Sequence, residues 1–542
     1  MAKKRIFQSL LVMLAMLNVL NFASCKSNSA DVSSVVSKSS ESNLESDSEE
    51  ETKEQSSSTA STNNLSVTAS QNTRSKRTSK TTSTKSRKKG ELVVDGQGKD
   101  PFVNYQVKGD VTVAIDTARP TDYEALFDVF SKYYPNVNIT YDYFRHIGDD
   151  DNASEYLTAR ASAGKMPDIV FDEAGSLPLY ISQGWIKPLD SFVKNDPDYK
   201  NVPQAIKDSY TFKGKLFALP HQAHFEVMVL NLDAMDELNI KMPALDWTLE
   251  DFEALLKAGT NDKYSGIDEL FGIPDRVSGL YSKDAAFYGY NVKTRKYSMM
   301  NTLGEALKFQ RKLRDYPGLE GFWMRQSATN IGDSDYAKKF GTSNLSDMRM
   351  AFKLGRTITQ YYGTWSALAL KNMLKFNFVL WPFPQHKDFK GRMPVHIDHS
   401  FMTSSAKDTD AAFALLRYVT YSTEGNIARL SMYDKVNKGK YALNNSMYYP
   451  VVTSSKVIEK FESLPGVTKV DKYLQKNIGN SYRADCFKFV PDFRKIHTQI
   501  ISPAMDQVSD GIKIPEEVLP EAERKANEAI QKAWQTLESK IK

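Results

Sequence analysis

Cysteine is almost absent from this 542-residue chain, which has only Cys25 and Cys486. That excludes a disulfide-dense scaffold and any multi-cysteine zinc or iron–sulfur site. Beyond Leu20 no apolar run is long enough to cross a bilayer, which excludes a polytopic membrane protein. Neither sign of charge dominates: 71 Lys and Arg stand against 66 Asp and Glu, a formal net charge of +5. A bulk nucleic-acid binder needs a stronger basic excess. There is no phosphate-binding glycine loop, dinucleotide fingerprint or nucleophile elbow, so no cofactor is expected. From Lys26 to Gly90 there is no aromatic residue at all. What remains is long enough for more than one domain, since one domain usually takes about 100–200 residues.

The N-terminus has a recognisable order. Lys3, Lys4 and Arg5 precede an apolar stretch from Ile6 to Leu20, then the small residues Ala23 and Ser24. This is the pattern of a secretory signal peptide over 1–24. With Cys25 directly after it, the segment resembles a bacterial lipobox, although Phe22 stands where Leu is usual. The resemblance implies lipidation of Cys25; an ordinary signal peptide or a membrane anchor are the alternatives. Residues 26–90 contain 29 Ser or Thr in 65. Such a composition cannot bury enough apolar surface to offset its ordering entropy, so residues 25–106 are expected to form a disordered tether. Seven acids lie between Glu41 and Glu54, and eight bases with no acid between Arg74 and Lys89. These blocks are a solvated spacer or, for the basic one, a contact for anionic lipid or wall polymer.

Folded patterning starts near residue 107. Val111–Ile115, Val137–Tyr141 and Asp168–Phe171 read as strands rich in β-branched residues. Between them, Thr121-Asp-Tyr-Glu124 reads as a capping box before a helix with Tyr123, Leu126, Phe127 and Phe130 at helical spacing, and another helix spans about 154–162. Alternating strands and helices predict an α/β fold with a largely parallel sheet. Downstream, Phe225–Leu230 is an apolar run, Thr248 caps a helix, Phe376–Leu380 is a strand ended by prolines, Asp408 or Thr409 starts a helix, and a last helix covers about 516–539.

A set of loose motifs then falls in a specific order. Ala161-Ser-Ala-Gly164-Lys-Met-Pro167-Asp168-Ile-Val, Gly184-Trp185-Ile186-Lys-Pro188-Leu189, Gly214-Lys-Leu-Phe-Ala-Leu219-Pro220 with Leu230-Asn231, Trp247-Thr248, Phe352-Lys-Leu-Gly355-Arg356 with Gly363-Thr364-Trp365, and Ala411-Ala412-Phe413 to Thr420 together resemble the family 1 extracellular solute-binding proteins. These are lipid-anchored receptors of bacterial ABC importers for carbohydrates. The resemblance spans about 107–540. Ile358-Thr359 departs from the family's Ala-Met, and Tyr281–Tyr297 matches no motif. The resemblance implies a two-lobed periplasmic-binding-protein-like α/β fold with crossing hinge strands. Lobe one would comprise 107–226 and 394–440, and lobe two 227–393 and 441–542. It also implies a monomer that binds a carbohydrate, an oligosaccharide by preference, on the outer face of the cell membrane. Its partners would be a permease and an ATPase; metal or peptide capture, or a surface polysaccharide enzyme, are the alternatives.

Loops at the carboxyl ends of strands line the crevice of open α/β sheets. That points to Asp116, Arg119 and Asp122 after the first strand and to Asp172 and Glu173 after the third, with helix capping or a plain turn as the competing roles. The resemblance adds a ligand contact near His224, with His221 and Asp398 beside it, and places Trp365 where the family stacks a sugar; packing in the core is its alternative. Trp381, Trp323, Tyr448 and Tyr449 are further aromatic candidates. His221-x-x-His224 and His396-x-Asp398-His399, with Glu226, could also gather as a zinc site, or serve as isolated polar contacts. Histidines three apart on a strand point to opposite faces, which disfavours zinc. Asp149-Asp150-Asp151 lacks the spaced ligands of a calcium loop. A glycosidase pair among the many carboxylates stays open, and Cys486 reads as a buried thiol.

Overall fold

The structure is a computed structural model that describes residues 103–116, 120–144, 152–172, 175–319, 335–341, 349–436 and 448–541. The signal peptide, Cys25, nearly all of the tether, Arg119, Asp149–Asp151, Glu173 and Trp323 lie outside the described residues. No helix among those described is long and apolar enough to cross a membrane.

The first three predicted strands form β1 (Gly109–Asp116), β2 (Val137–Phe144) and β3 (Ile169–Asp172), linked by helices α1 (Pro120–Tyr133) and α2 (Asn152–Ser162). Both β2 and β3 run parallel to β1. The apolar face of α1 packs as its spacing requires, with Tyr123, Leu126, Phe127 and Phe130 all buried. Its start differs from expectation. The helix begins at Pro120, whose fixed φ suits the first helical turn, so Thr121 lies inside the helix and does not cap it. The box at Thr248 does form: its hydroxyl accepts from the amide of Asp251 and the Asp251 carboxylate accepts back, opening α3 (Leu249–Ala258).

The centre of the fold is β4 (Leu219–Asn231), thirteen residues long and buried throughout. It changes neighbours along its length. Leu219–Phe225 pair antiparallel with β8 (Pro394–Met402). From Glu226 to Leu230 the strand pairs antiparallel with β6 (Thr357–Gly363), and on its other edge Val227–Asn231 pair with β7 (Phe378–Pro382). The sheet order is β2-β1-β3-β8-β4-β6-β5, where β5 is Ser265–Ile267, with β9 (Tyr482–Arg483) added beside β8. The sheet is therefore mixed and not largely parallel. The strands that alternate with helices are parallel, but the long connecting strands must return antiparallel to reach both halves.

The Tyr281–Tyr297 stretch, which matched no motif, is a platform with a short hairpin, Tyr290–Asn291 with Lys296–Tyr297. It receives the C-terminal helix α6 (Pro515–Lys540). Asn527 accepts from the Tyr297 amide at 2.8 Å and donates to its carbonyl at 3.0 Å, and Glu523 accepts from the Met299 amide at 2.6 Å. The same helix reaches the chain before β4: Lys213 donates to the Glu538 and Ile541 carbonyls, and Phe212 packs on Trp534.

Candidate ligand-binding site at the strand crossing

The first half of β4 is unusual for a fully buried strand because it carries His221, Gln222, His224 and Glu226. Buried polar groups are tolerated only when hydrogen-bonded. Each has a defined partner. His221 bonds to Tyr123 at 3.1 Å and to Ser400 at 2.7 Å, and burial holds its imidazole well below the ordinary value, hence neutral. Gln222 accepts from Arg429 at 2.9 Å. His224 donates from Nε2 to Asp398 at 3.0 Å. Glu226 accepts from His396 at 3.0 Å and from Arg276 at 3.1 Å; Arg276 lies on the short helix α4 (Ile273–Ser278).

The antiparallel register sets His224 opposite His396, so both imidazoles share one face. Trp365, just past β6, lies against them, with its ring 5.8 Å from His224 and 5.0 Å from His396, both edge-on. It is 42% exposed, whereas His224 is buried and His396 half-buried. Gly363 makes that pose possible. A Cβ there would sit 2.2 Å from the indole, which explains the Gly-x-Trp spacing in physical terms. The result is a flat apolar surface, open on one side and bordered by imidazoles, a guanidinium and a carboxylate. Arg276 is steadied by Tyr361, whose ring centre is 3.9 Å from the guanidinium carbon.

Behind this surface runs an ionic chain. Asp398 takes Lys488 at 3.1 Å as well as His224, and Asp485 pairs with Lys488 at 3.3 Å and Arg483 at 2.6 Å. Burial alone would raise the Asp398 carboxyl, but Lys488 and His224 more than offset it and hold it well below the usual range. Glu226 is likewise raised by burial but lowered further by Arg276 and His396, to about 2. Both carboxylates are thus committed anions. A glycosidase acid needs the opposite, a carboxyl kept protonated. Asp268 is pushed up to about 6 by burial, but it is fully buried and bonded to Tyr336 and the Phe352 amide.

The other sequence candidates divide by position. Asp116 and Asp172 end β1 and β3, and extending the register of those strands by two residues sets them side by side; Asp122 lies in the first turn of α1. Trp381 is buried and donates its indole N–H to the Ala244 carbonyl, with Lys469 over its ring. Tyr448 is buried, donates to Asn426 at 2.6 Å, and carries the Arg429 guanidinium 3.9 Å from its ring centre. Tyr449 is also buried and bonded to Asp471. The histidines do not converge. They form separate pairs, His399 packs on Tyr210, and no group of three or more ligating side chains among the described residues is placed to hold a metal. Arg276 and Arg429 were not legible in the sequence, because only the fold brings them to the crossing.

Comparison with known proteins agrees with this geometry. The chain matches the family model of bacterial extracellular solute-binding proteins over residues 125–436, more than half its length. No curated protein matches it. Among solved structures it is similar to UspC of M. tuberculosis, with a TM-score of 0.55, 16% identity, and coverage of 78% of this chain and 100% of that one. A cyclo/maltodextrin-binding protein complexed with maltotetraose gives a TM-score of 0.54 at 16% identity, covering 78% and 97%. An ABC substrate-binding protein of Listeria monocytogenes in complex with cycloalternan gives 0.52 at 14%, covering 78% and 99%. At these identities the likeness establishes the two-lobed fold. The chain belongs to the bacterial extracellular solute-binding proteins, a family of extracytoplasmic receptors and not of enzymes.

Proposed function

We propose that this receptor captures a carbohydrate, an oligosaccharide by preference, between its two lobes and delivers it to the permease and ATPase of an ABC importer. The observation that carries the reading is Trp365: a large indole left 42% exposed at a strand crossing, beside a buried His224 and a half-buried His396. An aromatic face with few fixed polar groups around it suits a sugar ring, whose C–H surface stacks while its hydroxyls bond. Several similar structures, found at low identity, hold oligosaccharides. The lobes are taken as 107–226 with 394–440, and 227–393 with 441–542. The change of partners in β4 between Phe225 and Glu226 supports the first boundary. The segment from 441 onward contributes to both sides, since α6 binds the Tyr297 and Met299 amides of lobe two but also meets Phe212 of lobe one, and β9 joins β8. Asp116, Arg119, Asp122, Asp172 and Glu173 would approach the sugar from lobe one. A lipid on Cys25 would hold the receptor at the membrane, with 26–106 as its tether.

A melting-temperature screen of the full chain in detergent against mono- and oligosaccharides tests this. A ligand selective for the folded state adds about 2.7 kcal/mol at a hundredfold excess over Kd. A sugar-specific rise without sugar turnover, lost by at least tenfold in affinity in Trp365→Ala, is the expected result. Silence across the sugars, or an unchanged affinity in the variant, would overturn it.

A further inference from the structure

On β8, Val395 points to the face opposite His396. There it helps line a second cavity of about 330 Å³, distinct from the Trp365 surface. Its walls come from the short helix Gln204–Ser209 on one side and from residues 283–293 on the other, with 389–395 and 479–483 between them. Five cationic side chains and two carboxylates line it, so its formal charge is strongly positive.

The arginines are the unusual part. Arg392 is buried, and its guanidinium donates only to carbonyls, those of Gly279 at 2.9 Å, Asn480 at 3.4 Å and Ala285. Among the described residues no carboxylate pairs with it. Asp284 acts on it only from beyond ion-pair distance and the Tyr482 ring lies 5.0 Å from it, so its charge is compensated less closely than a buried cation ordinarily is. Arg483 is buried too; it gives Nε to Asp485 and Nη1 to Ser209, while its Nη2 has no hydrogen-bond partner among the described residues. At the mouth stands Lys283, exposed and free of any ion pair among the described residues. Lys293 and Lys390 are held by Asp284 at 3.5 Å and Asp246 at 2.9 Å, and both are well exposed.

We infer that this cavity is a second binding site, for a small oxyanion such as phosphate or sulfate. Guanidinium groups match oxyanions with charge-assisted, often paired hydrogen bonds, and the lysines supply charge at the entrance. The volume lies at the small end for a ligand pocket, which suits a compact anion better than an oligosaccharide. Arg483 also belongs to the ionic chain behind the sugar surface, but Lys283 has no part in that chain and Trp365 none in this cavity, so variants at those two residues separate the two assignments.

The test is calorimetric titration of inorganic phosphate into the full chain in detergent, with chloride at matched ionic strength as reference and sulfate as a competitor. Saturable one-site binding is expected, displaced by sulfate and weakened at least tenfold in Lys283→Glu. That residue is exposed, so the variant folds where Arg392→Gln could fail. Trp365→Ala should bind phosphate as the parent does. Absence of saturable binding overturns the site. So does an affinity that survives Lys283→Glu, or one that is lost in Trp365→Ala, which would put the anion at the strand crossing instead.

Discussion

Glu226 occupies the position where the central strand exchanges one set of neighbours for another, and its carboxylate joins both. Arg276 comes from the side of β6, and His396 from β8. Its value is held from 4.5 down to about 2. A carboxyl lowered on folding stabilises the folded state fully above its unfolded value, and that contribution disappears as pH falls through the folded one. The shift corresponds to about 3 kcal/mol above pH 4.5, fading between 4.5 and 2. Glu226→Gln should therefore lose about that much at pH 7, measured by urea unfolding, and the gap to the parent should narrow progressively below pH 4.5. A gap that stays constant down to pH 3 would show that the loss comes from packing and not from the ion pairs. His224 and Trp365 were legible in the sequence because motifs carried them. Glu226 was visible only as a member of a histidine cluster, and Arg276 not at all, since its contact spans fifty residues and depends on the register of strands that sequence alone does not set.

At the level of elements, strands announced by β-branched runs and helices announced by caps were found within a few residues of their expected places. The exceptions have physical causes. Pro120 starts α1 two residues early because proline needs no amide partner there. Asp408 does precede α5 (Thr409–Val419), but its carboxylate accepts from the Asp110 amide of β1 instead of capping. The Tyr281–Tyr297 stretch was opaque because its partner is α6, more than two hundred residues away. Trp534 is the hub of that contact: its N–H reaches the Tyr290 hydroxyl at 3.1 Å, Arg295 lies 3.8 Å over its ring, and Phe212 packs at 5.6 Å. Deleting so large a buried ring leaves a cavity and a Tyr290 hydroxyl without its partner, while Arg295 keeps only Glu538. Trp534→Ala should cost about 3–5 kcal/mol in urea unfolding. A loss under about 0.5 kcal/mol, the size of an ordinary surface change, would mean that α6 is an appendage and not a clasp.

For the whole molecule, the decisive feature is that one buried strand, β4, serves two sets of partners; a hinge between the proposed lobes would fall near Phe225 and Glu226. Hinge closure about a ligand needs contacts that favour the closed state. Moving a population from 1:99 to 99:1 takes about 5.5 kcal/mol of preference. A sugar bound at micromolar strength carries about 8 kcal/mol, so roughly two-thirds of that must be preference for the closed state. The chain is well suited to a direct measurement. Cys486 is fully buried and its thiol is raised far above the ordinary range by burial, so it resists labelling. In a Cys25→Ser background, spin labels at Leu179→Cys and Met242→Cys, both exposed and one in each proposed lobe, should report a changed distance when a sugar identified by the melting screen is added. The Trp365→Ala variant should need at least tenfold more of that sugar to reach the same distance. If the sugar binds while the distance stays fixed, recognition does not close the lobes, and the strand crossing is a rigid platform for the ligand instead of a hinge.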